Sequence, residues 1–128
     1  MSNSSSSKSV FVLDDDEFSH EVIAASLKEV GISTIYVANN GEDALRQLSE
    51  MAVEPDVLIC DILMPDMDGM DFLNALQKLN YQGKVMLVSG IAKDVLAIAE
   101  DVVKTDGINI IGAFVKPINL DELRKAIL

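Results

Sequence analysis

Short apolar runs alternate along this chain with longer stretches in which apolar side chains recur every three or four positions. Val10-Phe11-Val12-Leu13 is continuous, β-branched and aromatic, and predicts a buried strand. Three aspartates end it. From about Glu17 to Val30, the residues Phe18, Val22, Ile23, Leu27 and Val30 predict the inward face of a helix that Gly31 stops. Ser33 to Val37 predicts a second strand. Asn40 then caps a helix to about Met51, with Ala44, Leu45 and Leu48 inward. Pro55 breaks the chain, and Val57-Leu58-Ile59-Cys60 predicts a third strand ended by Asp61. A loop from Ile62 to Asp68 leads to a helix opened by Gly69, with Phe72, Leu73, Leu76 and Leu79 on one side. Lys84 to Val88 predicts a fourth strand, ended by Ser89-Gly90, and Ala92 to about Lys104 a fourth helix. Gly112 to Val115 predicts a fifth strand ended by Lys116-Pro117. Asn119 caps a last helix with Leu120, Leu123 and Ile127 inward.

Fully apolar strands alternating with helices imply an α/β fold: a doubly wound, five-stranded parallel sheet with five helices covering both faces. Ligands in such sheets bind at the carboxyl ends of the strands, near a switch point in strand order. The informative residues are therefore those that end the strands. In the order 2-1-3-4-5, strands one and three are neighbours, and Asp14, Asp15 and Asp61 converge.

Composition narrows the class. The 128 residues suit one domain. Residues 1–8 are serine-rich and read as a disordered lead-in, leaving 9–128 as the folded unit. The lead-in lacks the apolar segment of a signal peptide, and the chain has no apolar run near the ~18 residues needed to span a bilayer. The expectation is a cytoplasmic protein with no membrane partner. Acidic residues outnumber basic ones 21 to 10, for a formal charge of −11, which disfavours direct contact with nucleic acid. The lone Cys60 reads as a small buried hydrophobe. His20, near the start of the first helix, is expected to be exposed.

The strand ends carry three acids, a hydroxyl and a base: Asp14, Asp15, Asp61, Ser89 and Lys116. Carboxylates gathered in one pocket repel one another unless a cation intervenes. Oxygen-only ligands suit a hard ion, Mg²⁺ or else Mn²⁺. An ammonium pairs with an acid when such a site is empty and with a phosphoryl oxygen when it is filled. A carboxylate beside a metal can also act as a nucleophile. Phosphoryl transfer needs mainly positioning and charge neutralisation, and these parts supply both. Each also has a plainer reading taken alone: Asp14-Asp15-Asp16 as a polar loop, Ser89 as a loop hydroxyl, Lys116 as a surface lysine, Asp66 and Asp68 as turn residues.

Four segments in order decide between them. Val12-Leu13-Asp14-Asp15-Asp16, Asp61 through Gly69, Val88-Ser89-Gly90 and Val115-Lys116-Pro117 together resemble the receiver domain of two-component response regulators, the class that includes the chemotaxis regulator. The resemblance covers nearly everything from Ser9 to Leu128 and implies a flavodoxin-like fold. It implies that Asp61 accepts a phosphoryl group and that Asp15 binds Mg²⁺ directly, with Asp14 acting mainly through water. It adds the Leu63 backbone carbonyl as a metal ligand, with Ser89 and Lys116 on the phosphoryl oxygens, and a cis Lys116–Pro117 bond. The implied partners are a histidine kinase or phosphotransfer protein and an output domain or partner protein. The stretch from Gly107 to Ala113 looks like receivers attached to cyclic-di-GMP phosphodiesterase outputs. The fourth helix, fifth strand and fifth helix are the face receivers often use for partners or homodimers.

The pattern also departs from many receivers. Three residues before the lysine stands Ala113, where an aromatic switch is common, and Phe114 follows one residue later. Strand alternation sends these two side chains to opposite faces, so Phe114 is expected in the core. Leu63 and Ile91 lie two residues after Asp61 and Ser89. In receivers these two positions tune phosphate loss; both are apolar here, so the resemblance implies slow self-dephosphorylation. The expected function is a signalling switch that catalyses only its own phosphorylation and its slow reversal. The alternative is a receiver-like interaction module that is never phosphorylated. An aspartate-nucleophile phosphohydrolase is disfavoured because Leu63 replaces its second acid. A nucleotide binder is disfavoured because aspartates stand where a Gly-rich loop would.

Overall fold

The computed structural model describes residues 8–62, 69–90 and 107–127. Five parallel strands form one sheet in the order β2-β1-β3-β4-β5: β1 (Ser9–Leu13), β2 (Thr34–Ala38), β3 (Val57–Asp61), β4 (Lys84–Ser89) and β5 (Asn109–Val115). The described residues contain four helices: α1 (Glu17–Glu29), α2 (Gly41–Glu50), α3 (Gly69–Lys78) and α4 (Leu120–Ile127). Five were expected. The one expected from Ala92 to Lys104 lies outside the described residues, as do residues 1–7, Leu63 and Ile91.

Alternation along each strand builds two cores. Phe11, Leu13, Leu58, Cys60, Val85 and Leu87 pack with Ala44 and Leu48 of α2 and Phe72, Leu73 and Leu76 of α3. Val10, Val12, Val57, Ile59, Met86 and Val88 pack with Ile23 and Leu27 of α1 and Leu123 and Ile127 of α4. Both faces of the sheet are covered, which is why the strands are apolar throughout rather than alternating. Burying each large aliphatic or aromatic side chain contributes about 1.5–3 kcal/mol.

The caps follow the sequence. The Asn40 side chain accepts the Asp43 N–H at 2.8 Å and that of Asn119 accepts the Glu122 N–H at 2.7 Å. Gly31, at φ +97°, takes the left-handed conformation that ends α1. Phe114 packs against the α1/α4 core, as its place in the strand implied. The Lys116–Pro117 bond is cis.

Three expectations fail. Phe18 and Val22 do not face inward: Phe18 is 70 % exposed and Val22 38 %, because only the side of α1 bearing His20, Ile23 and Leu27 meets the sheet. His20 sits on that side and is buried, with its Nε2 lacking a hydrogen-bond partner among the described residues. The strand expected from Gly112 begins earlier, at Asn109. Its pairing with β4 shifts between Val85 and Met86, which face Ile110 and Gly112, so Ile111 is an extra residue.

Candidate functional site

Parallel strands place all their carboxyl ends at one edge of the sheet. Asp14 and Asp15 follow β1 directly, Asp61 and Ser89 end β3 and β4, and Lys116 follows β5. Because β1 lies next to β3, Asp14, Asp15 and Asp61 come together. One carboxylate oxygen of each lies within 4.8 Å of the others. Asp14 and Asp61 are buried and Asp15 is exposed, so the cluster opens to solvent on the Asp15 side.

The loop after β1 fixes the geometry of Asp14. Asp16 caps α1, its side chain accepting from the Phe18 N–H and the Ser19 hydroxyl. The Asp16 backbone N–H turns back and donates to Asp14 Oδ1 at 2.9 Å. Lys116 Nζ occupies the other oxygen, donating to Asp14 Oδ2 at 2.5 Å and to Asp61 Oδ2 at 3.2 Å. Burial alone would lower the Lys116 pKa, but the hydrogen bonds and charges of Asp14 and Asp61 outweigh it and hold the ammonium above its ordinary value. Burial, reinforced by the charges of Asp61 and Asp14, pushes the Cys60 thiol up, so this cysteine is not a nucleophile.

Ser89 is fully buried, one residue beyond Val88, the β4 partner of Asp61. Its carbonyl accepts the Lys116 N–H at 2.7 Å and ties the lysine backbone to β4. Asp14, Asp15, Asp61, Ser89 and Lys116 are thus all at the same sheet edge. Leu63 lies outside the described residues. Sequence reasoning missed the Asp16 N–H that orients Asp14, because a backbone donor leaves no residue-type signal. The donor set fits a hard divalent cation, since three carboxylates gather around one point with an open side for water.

A family model for the response regulator receiver domain matches residues 10–128. The chain belongs to this family. It is 36 % identical over 86 residues to a protein-glutamate methylesterase/protein-glutamine glutaminase of Myxococcus xanthus, covering 66 % of this chain and 24 % of that protein. The receiver thus spans about a quarter of the length of the methylesterase relatives it matches. It is 27 % identical to the chemotaxis protein CheY of Bacillus subtilis over 118 residues, 92 % of each chain. A response regulator structure from Colwellia psychrerythraea superposes with a TM-score of 0.74 at 26 % identity, covering 94 % of this receiver and 93 % of that chain. The receiver is therefore a domain of two-component signalling.

Proposed function

We propose that Asp61 accepts a phosphoryl group from a histidine kinase or phosphotransfer protein and that the modification switches a partner-binding surface. One observation carries this reading: a single ammonium spans the two buried acids, Asp14 and Asp61, beside an exposed third acid. The residue that bridges the acids in the resting site is then placed to bridge the phosphoryl group once it arrives.

In this reading an Asp61 oxygen attacks phosphorus, the bond from phosphorus to the donor breaks, and its electron pair leaves with the donor. Asp14, Asp15 and Asp61 would hold the metal, with the Leu63 carbonyl as a further ligand. Mg²⁺, or Mn²⁺, would supply positive charge that offsets the acids and the incoming oxygens. Lys116 moves from Asp14 to one phosphoryl oxygen, and the Ser89 hydroxyl donates to another. Leu63 and Ile91 have no group to orient an attacking water, so the aspartyl phosphate is lost slowly. The domain catalyses only these steps on itself, acts in the cytoplasm, and signals by binding. Its readout face includes β5 and α4 and is used by a second copy or by an output. A cyclic-di-GMP phosphodiesterase is one such output.

Incubation with acetyl phosphate and Mg²⁺, followed by intact mass, tests this reading. The expected result is a gain of one phosphoryl group, lost in Asp61→Asn and on chelation. No gain under conditions that label a control receiver assigns the chain instead to interaction modules that are never phosphorylated.

A further inference from the structure

β5 contains one residue more than a regular strand would, and Lys116 at its end reaches Asp14 and Asp61. Asp14 follows Leu13, and Asp61 follows Cys60. Leu13 and Cys60 belong to the α2/α3 core, so strand alternation directs Asp14 and Asp61 to the α1/α4 side of the sheet. Lys116 must point the same way. In β5, Ile110 packs against the α2/α3 core. Under strict alternation every even-numbered residue after it, Phe114 and Lys116 included, would share that side. The side chains instead switch. Ala113 packs against the α2/α3 core, and Ile111 and Phe114 against the α1/α4 core. The switch coincides with the register shift at Val85/Met86, where Ile111 is passed over. Beyond it Lys116 has the same parity as Phe114, and the Lys116 N–H bond to the Ser89 carbonyl holds that register to the strand end.

Gly112 sits at the step. A Cβ there would lie 2.8 Å and 2.9 Å from the Phe114 ring, which packs, partly buried, against the α1/α4 core in the new parity. We infer that the β5 bulge, with Gly112 as its positioning residue, sets which face of the sheet Lys116 serves and so delivers the ammonium to Asp14 and Asp61. Gly112 touches neither acid; it acts through Phe114 and the strand register. The inference rests on the proposed role of Lys116 in phosphoryl transfer, but the delivery itself can be read without any transfer.

The test compares Gly112→Ala, Lys116→Ala, the double variant, and Gly112→Ala with Phe114→Leu, which removes the ring atoms the new Cβ meets. Two quantities are measured on each full chain: Mg²⁺ affinity by calorimetry, and the rate of Asp61 labelling by acetyl phosphate. Gly112→Ala is expected to draw Lys116 off Asp14. Mg²⁺ binding then tightens several-fold, as in Lys116→Ala, and labelling slows on the order of tenfold to a hundredfold. In the Lys116→Ala background, Gly112→Ala adds no further change to either quantity, and Phe114→Leu restores both in the single variant. The inference is overturned by a Gly112→Ala protein that matches the wild type in both quantities. Effects that persist undiminished without Lys116 also overturn it, since they would mark a general loss of structure. If wild-type chain is never labelled, the phosphoacceptor reading falls, and the Mg²⁺ series still decides whether the bulge places Lys116.

Discussion

Lys116 is the residue on which the resting site turns. Asp14 has its two oxygens taken, one by the Asp16 N–H and one by the Lys116 ammonium, and its side chain is only 1 % exposed. A divalent ion bound there would therefore compete with the lysine for the same carboxylates. Removing the lysine leaves a buried charge without its partner, which costs about 3–5 kcal/mol in comparable pairs. Lys116→Ala is expected to be less stable than wild type by a few kcal/mol without metal, and to bind Mg²⁺ more tightly. Thermal unfolding with and without Mg²⁺ checks both: the ion should raise the melting temperature of the variant by more than it raises that of the wild type. An equal rise in the two proteins would mean that the lysine does not contest the acids.

At the scale of elements, α2 shows how local chemistry fixes a boundary. Its cap, Asn40, satisfies one of the four N–H groups that a helix start leaves open, and Glu42 and Asp43 put negative charge in the first turn. Asp43 is held below the usual carboxylate range by the hydrogen bonds of Gln47 and Arg46. Asn40→Ala is expected to lower stability by about 1 kcal/mol without altering Mg²⁺ affinity, as read by urea unfolding and calorimetry. Caps of this kind, the apolar strands and the strand-end residues were legible in the sequence because each is a local rule about residue type. What escaped was set by non-local partners. The apolar spacing of Glu17 to Val30 fits a face wide enough to hold Phe18 and Val22, whereas the sheet covers only the side bearing His20, Ile23 and Leu27. The extra residue in β5 escaped because Asn109 to Val115 is apolar enough to pair in either register, and only β4 and the two cores select one. The convergence of Asp14, Asp15 and Asp61 was legible only once a strand order was assumed, and the parallel pairing of β1 with β3 supplies it.

For the molecule as a whole, the two edges of the sheet do different work. The carboxyl edge gathers titratable groups. The opposite edge is closed by buried hydrogen bonds, of which Tyr81 makes the most consequential: its hydroxyl donates to the Pro55 carbonyl at 3.0 Å and lies 3.3 Å from that of Lys84. Burial, then the charges of Glu54 and Asp56, raise the tyrosine above its ordinary value of 10. The folded state thus holds this proton more tightly than the unfolded chain does. The stability it contributes is complete below pH 10 and is lost as pH climbs through the higher folded value. Tyr81→Phe is expected to cost about 1–2 kcal/mol near neutral pH, by leaving a buried carbonyl unpaired, and to flatten the alkaline decline of stability. Denaturant unfolding across the alkaline range checks both. A variant with the wild-type slope would place the lost proton elsewhere.

At that same edge Lys8, at the threshold of β1, donates to the Ile127 carbonyl at 2.8 Å, where the negative end of the α4 dipole favours a cation. The clasp brings Lys8 and the end of α4 within one side chain's reach, at the opposite end of the strands from the acids. A fluorophore or a surface tether attached beside Lys8 or beside Ile127 would therefore start from the same corner, with the length of the strands between it and Asp61.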